Sequence, residues 1–435
     1  MTLVYDLVYL LAVSLGWPLL LIRRWRRGPG SVSLGERLGA VPPRMGESPC
    51  VWLHGVSLGE INATRSLVAE LRRRHPALAI AISSTTQTGL ARARTLYPDL
   101  IVFRFPLDFS CVLRRVFTRI RPSIIVLMEL EAWPNLLEVA TRRRVPVVIA
   151  NARITEGKSM RRFRWPIVRG VARRMFARVA WVAAQDETYA RRFEQLGVPP
   201  QRISVTGSLK YDTADLADHI PGQDELAQQM GIDTARPLLV CGSTGPGEEA
   251  LLLEVYERIC GDGCDLQLAL IPRKPERFDE VASLIATRGY TCVRRSAGDQ
   301  AGSGRSETTR PVFLGDTMGE LRKFYALADI VFVGRTLVPM GGSDVIEAAA
   351  LGKPVLVGPH VENFADPVRL LCEHEACWQV PDTEALTGAI VDLLANARRG
   401  AAMAERARQT IAAQRGATAR TIDRMMELMN APPAG

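Results

Sequence analysis

Cysteine is sparse. Eight in a chain of 435 residues are too few for a disulfide scaffold and fit a reducing compartment. Only Cys260/Cys264 and Cys372/Cys377, the second pair flanking His374, lie close enough to suggest a metal, and neither has a partner pair at zinc-site spacing. An Asp-x-Asp sequence is absent too, which agrees with chemistry that needs no metal. The chain also lacks the charge order of a cleaved signal peptide, because positive residues follow its first apolar run instead of preceding it. Disorder and collagen-like classes are excluded by a composition that is 47% apolar and 23% charged.

What is present begins with length. One domain usually takes roughly 100 to 200 residues, so two domains with a cleft between them are expected. Lys and Arg number 55 against 46 Asp and Glu, a net charge of +9. That excess is gathered in two places. Arg23, Arg24, Arg26 and Arg27 form one cluster, and Arg161, Arg162, Arg164, Arg169, Arg173, Arg174 and Arg178 form another in a stretch without an acid. The remainder is about neutral, so an anionic partner is expected at the clusters.

The run LVYLLAVSLGWPLLLI, Leu7 to Ile22, carries no charge. Extended back to Leu3 it admits only Asp6 and reaches roughly 30 Å, just enough for a bilayer core. Basic residues favour the cytoplasmic side, so 1–27 reads as a membrane anchor with its basic flank, and everything after Arg23 is expected in the cytoplasm. Pro18 and the shortness of the run also fit a half-inserted, monotopic helix. A soluble core helix is the third reading, and the abutting arginines count against it.

Beyond the anchor, short apolar runs alternate with amphipathic stretches, the pattern of a parallel sheet covered on both faces. Strands are expected at Cys50–His54, Leu78–Ser84, Ile101–Phe105, Ser123–Glu129, Val145–Asn151, Val179–Gln185 and Ile203–Gly207. A polar stretch from Tyr211 to Pro237 reads as a linker with its flanking helix. The pattern restarts with Pro237–Ser243, Leu266–Pro272, Asp329–Gly334 and Lys353–Pro359. The fold class is therefore α/β, two Rossmann-like, doubly wound domains at 28–212 and 213–410, with a C-terminal helix at 411–435. Ligands of such folds bind at the carboxyl ends of the strands.

Several loops at those ends carry chemistry. HGVSLGE (His54–Glu60) runs from a strand into a helix and places Glu60 at the helix start, either as a cleft carboxylate or as a complement to the helix dipole. MELEAWPN ends a strand with Glu129 and Glu131, an acid pair suited to acceptor binding or, equally, to capping and salt bridges. GSTGPGEE offers Ser243 and Thr244 as helix caps beside a phosphate-sized anion, but no Gly-Lys-Ser/Thr closes it, so it is not a Walker A loop. Arg273 and Lys274 follow the next strand, where an Arg can hold phosphate or carboxylate with two hydrogen bonds. Gly341 and Gly342 allow close backbone approach to a ligand, and Glu347 suits two ribose hydroxyls. Together these loops describe a nucleotide site.

HGVSLGE, STTQTG, MELEAWPN, NARITE, AAQDE, VTGSLKYD, PRKPERF, GDTMGEL and VPMGG…EAAALGKPVLVGPH resemble, in order, the motifs of 3-deoxy-D-manno-octulosonic acid (Kdo) transferases. The resemblance covers nearly the whole chain. It implies a GT-B glycosyltransferase that moves Kdo from CMP-Kdo to the lipid A precursor at the cytoplasmic face of the inner membrane, without a cofactor. It also implies Glu60 as general base, with Glu129 and Lys210 beside the reaction. The donor contacts it implies fall on Ser243, Thr244, Pro272, Arg273, Asp316, Met318, Gly319, Glu320, Gly341, Gly342, Asp344 and Glu347. The chain departs from the family motifs at GGSDVIE, where the family has GGHNPLE, and at PRK for PRH, GRT for GGS and GPGEE for HEGEE. Those departures leave room for a GT-B transferase or epimerase that uses another nucleotide sugar. A non-catalytic, membrane-tethered binding protein is the alternative outside enzymes. Anionic lipid accounts for the arginine clusters better than nucleic acid does.

Overall fold

The computed structural model describes residues 2, 5–7, 9–11, 34–154, 166–214, 216–300 and 310–431. The chain divides into two compact units, Met1–Thr213 with Arg415–Gly435, and Ala214–Gln414.

The first unit is built on seven parallel strands: β1 (Cys50–His54), β2 (Ala79–Ser84), β3 (Ile101–Arg104), β4 (Ile124–Met128), β5 (Val147–Ala152), β6 (Trp181–Ala184) and β7 (Ile203–Val205). Their order is β3-β2-β1-β4-β5-β6-β7, so Leu53 pairs with Ile82 on one side and Val126 on the other. Helices cover both faces, which is why β1, β4 and β5 are buried at every position. Trp52 anchors one face, tilted on Phe103 at 5.5 Å and edge-on to Phe117 at 5.9 Å. The helix Leu58–Arg74 packs Ile61, Thr64, Leu67, Val68 and Leu71 on the other face at helical spacing, and three arginines close its last turn. A C-terminal helix, Ala417–Asn430, joins that face through Ala417, Ile422 and Met425. Asp212 ties down its start by accepting from Gly416 N and Thr418 N. Residues 411–413 close the preceding helix, Ala397–Ala413, instead of belonging to this one.

The second unit has β8 (Leu238–Thr244), β9 (Gln267–Pro272), β10 (Thr291–Arg294), β11 (Pro311–Leu314), β12 (Ile330–Val333), β13 (Val355–Val357) and β14 (Cys377–Gln379). Its order is β10-β11-β9-β8-β12-β13-β14, again all parallel. β10, β11 and β14 were not expected from the sequence. TCVR and CWQ are short, half-polar edge strands, and PVFL opens on a proline, so none shows an apolar run. In each sheet the strand order switches direction at its centre, between β1 and β4 and between β8 and β12. A crevice opens at the carboxyl ends of such strands.

Among the described residues no helix is long and apolar enough to cross a membrane. Most of the run from Leu7 to Ile22, Arg23 to Arg27, and Arg161, Arg162 and Arg164 lie outside the described residues. At residues 5–11 the helix rests on the first unit. Asp6 accepts from Ser110 N at 2.9 Å, Ser110 Oγ at 2.6 Å and Asn135 Nδ2 at 3.0 Å, and Tyr9 meets Phe109 edge-on at 6.1 Å.

Candidate functional site

In the first unit the loops after β1 and β4 straddle the winding reversal. Ser57 caps the helix Leu58–Arg74 and forms a reciprocal capping box with Glu60. One Glu60 oxygen accepts from Ser57 Oγ at 2.8 Å and Ser57 N at 3.3 Å, and the other from Val56 N at 2.9 Å. The dipole-complementing role is therefore filled by Glu60. The carboxylate is fixed in place, and the oxygen that faces Val56 N keeps a lone pair for a further donor.

Glu129 follows β4 with φ 57°, a left-handed backbone that bends the chain out of the sheet, and its N–H donates to Ala150 O at 3.0 Å. Burial raises its pKa, and the Glu60 charge raises it further, while Lys210 and Arg153 oppose both. Glu60, Glu129 and Lys210 are therefore brought together, and Arg153 joins them. Arg153 lay within the NARITE motif but was not singled out from the sequence. Asn151 was missed as well. It is buried with φ 53°, and its Oδ1 accepts from Leu209 N at 3.1 Å and Ser208 Oγ at 3.4 Å, which fixes the turn that carries Lys210.

Beneath this cluster, His54 ends β1 fully buried, its ring 4.0 Å from that of Phe105 and its Nδ1 bonded to Ser83. Burial pushes its pKa down to about 3, so it stays neutral and packs as a core group.

In the second unit the corresponding loops follow β8 and β12. Ser243 and Thr244 finish the strand instead of capping the next helix, whose N-cap is Gly247 at φ 83°. Two buried carboxylates organise this region, and sequence reasoning overlooked both. Glu248 accepts from Gly245 N at 3.1 Å, Arg335 N at 2.5 Å, Thr336 N at 2.9 Å and Leu337 N at 3.0 Å, stitching the β8 loop to the β12 loop. Burial raises its pKa and these four donors oppose the rise. Glu249 accepts from Thr244 Oγ1 at 2.7 Å and takes a two-pronged ion pair from Arg277 at 2.6 and 3.0 Å. Arg273 and Lys274 follow β9 on the surface, with Arg273 N bonded to Thr244 O at 3.1 Å.

Residues 32–213 match the family model described as 3-Deoxy-D-manno-octulosonic-acid transferase (kdotransferase). A relative from Bordetella pertussis, 3-deoxy-D-manno-octulosonic acid transferase, is 36% identical over 96% of this chain and 97% of its own. The chain belongs to the Kdo transferase family. A relative of the same name from Haemophilus influenzae is 32% identical over 90% of each chain. Among solved structures, a putative UDP-N-acetylglucosamine 2-epimerase from Listeria monocytogenes superposes with a TM-score of 0.54 at 16% identity, covering 88% of this chain and 96% of that one. That likeness concerns the fold alone, and the fold is GT-B.

Not every motif residue of this Kdo transferase turns its side chain outward. Asp316 is buried, its carboxylate occupied by Arg294 Nε at 2.6 Å, Ser296 N at 2.7 Å and Ser296 Oγ at 2.5 Å. Burial would raise the Glu320 pKa, but hydrogen bonds from Arg295, Thr317 and Lys323 outweigh it and hold the group at about 2. Both acids thus brace the turn between them, on which Met318 is 69% exposed and Gly319 takes φ 89°. Gly341 and Gly342 both take φ 81°, and a Cβ on either would run into 360–363 of the same unit. The positive φ and that loop each call for glycine at both positions. Asp344 accepts from Ile346 N at 2.9 Å, which directs its charge to the start of a short helix. Pro272 ends β9 buried, and Glu347 is half-buried. Among the described residues no group of three or more His, Cys, Asp or Glu is placed to hold a metal ion.

Proposed function

We propose that this Kdo transferase moves Kdo from CMP-Kdo to a lipid A precursor at the cytoplasmic face of the inner membrane, with no cofactor. The observation that carries the chemistry is the charge coupling of Glu60 and Glu129. Burial and the Glu60 charge raise the proton affinity of Glu129, which supports an acid pair suited to taking up a proton. Glu60 removes the proton from the acceptor hydroxyl as that oxygen attacks the anomeric carbon of Kdo. CMP departs, and Arg273 with Lys274 offsets the charge that develops on its phosphate. Lys210 and Arg153 oppose the rise at Glu129 and place positive charge beside the pair.

One observation favours a second reading in which the two acids exchange roles: Glu60 is tied into its capping box, whereas the Glu129 pKa is raised. Glu60→Gln separates them. The expected result is loss of transfer with CMP binding retained, and substantial residual turnover would move the base to Glu129.

Membrane attachment is proposed on two surfaces. Leu7, Leu10 and Leu11 are 64%, 56% and 63% exposed beside the residues that dock Asp6 and Tyr9, where an apolar segment would meet lipid. The helix Pro166–Phe176 shows Arg169, Arg173 and Arg174 to solvent along with Val168 and Val171, an arrangement suited to phosphorylated lipid.

A further inference from the structure

Among the described residues, no acid pairs with the guanidinium of Arg335, at the carboxyl end of β12. Its backbone is clamped from both sides: the N–H donates to Glu248 Oε2 at 2.5 Å, and the carbonyl accepts from Gly342 N at 2.9 Å. It also holds φ 63°, a conformation that disfavours any residue with a side chain. Arginine at such a position is strained without benefit unless its side chain has work to do.

That side chain lies against the nucleotide loop. A Cβ on Gly245 would come within 3.0 Å of Arg335 Cγ and 2.6 Å of Met340 Sδ, so the loop after β8 passes directly over the arginine. Nη2 donates to Met340 O at 3.2 Å, while Nε is buried and has no acceptor. Across β8, the Tyr325 hydroxyl is also fully buried without a hydrogen-bond partner, beside Gly242. Two unsatisfied polar groups therefore flank the strand end at which the sheet reverses its winding. Buried polar groups of this kind are normally satisfied, and the Arg335 guanidinium keeps donors that no acceptor among the described residues occupies.

We propose that Arg335 is a donor-specificity residue that holds an oxyanion of the nucleotide sugar, either its phosphate or its sugar carboxylate. The inference rests on the CMP-Kdo reading. It gives the GRT sequence a function: a fixed cation additional to Arg273.

Calorimetric titration of CMP and cytidine, together with the KM for freshly generated CMP-Kdo, tests this on the full chain with Arg335→Gly and Arg335→Lys. Glycine accepts the positive φ, and lysine keeps the charge, so a folding defect common to both is separable from loss of the clamp. Loss of a charge-assisted hydrogen bond predicts about 10- to 100-fold weaker binding in the glycine variant, with partial recovery in the lysine variant. If the phosphate is held, CMP weakens and cytidine does not. If the carboxylate is held, CMP is unchanged and the KM for CMP-Kdo rises by that factor. Unchanged CMP affinity and unchanged KM, or an equal loss for cytidine, overturns the inference. Absence of CMP binding to the unaltered protein would instead remove the donor reading on which it stands.

Discussion

Arg277→Ala is expected to destabilise the second unit more than any surface change in it. Arg277 meets Glu249 through two nitrogens at 2.6 and 3.0 Å, and the Glu249 side chain is 1% exposed. Removing the arginine leaves a carboxylate out of water with Thr244 Oγ1 as its remaining donor. Breaking a buried pair in this way costs about 3–5 kcal/mol. Arg277 also pairs with Glu280, but that side chain is 62% exposed, so its loss adds up to about 1 kcal/mol. For a unit of this size each kcal/mol lowers the melting temperature by about 2–4 °C, so the transition should fall by about 6–24 °C. Scanning calorimetry is the suitable assay, because a chain of two units need not melt in one step. Two controls sharpen the result. Glu280→Ala should move the transition by only a few degrees, and Arg277→Met combined with Glu249→Leu should recover most of the loss, because an apolar pair leaves no charge stranded. A drop in Arg277→Ala no larger than in Glu280→Ala would refute the reasoning.

Other expectations follow from the same geometry. Arg273→Ala should weaken CMP binding about tenfold or more by calorimetry, and unchanged affinity would remove the residue from the donor site. Asp108 is buried and beside Asp6, and its pKa is pushed up to about 7 from an ordinary 3.8. Its contribution to stability is full below about pH 4 and is lost as the pH rises toward 7, because the unfolded chain releases the proton while the native state retains it. Asp108→Asn should therefore flatten the decline of urea midpoints across that window, and an identical slope would refute the assignment. Reversing Arg169, Arg173 and Arg174 to Glu should reduce flotation with anionic vesicles. If flotation and activity both persist, that helix face is merely solvated.

Much of the architecture was legible because buried parallel strands are continuous apolar runs. SIIVLME and PLLVCGS could hardly be anything else, and the loops that follow them were found by position alone. Polar groups that serve the backbone were harder to read. Asn151 matters through its left-handed φ and its bonds to Ser208 and Leu209, 57 and 58 residues further on, and neither leaves a local signature. Glu248 likewise sits among first-turn carboxylates that look like dipole complements, yet its donors at 335–337 come from another strand's loop. At Asp316 and Glu320 the motif invites a ligand role, while the bonds of both carboxylates to their neighbours leave no local signature. Gly341 and Gly342 were recognised as necessary glycines, and the loop that crowds them adds a reason that the sequence does not show.

The central claim is the transfer reaction itself. The most direct measurement incubates the full chain in membranes with freshly generated CMP-Kdo and a tetraacylated lipid A precursor, and reads the product by mass. Addition of one or more Kdo residues, abolished by Glu60→Gln, is the predicted result. No added Kdo from CMP-Kdo, or transfer from a UDP-sugar in its place, would contradict the account.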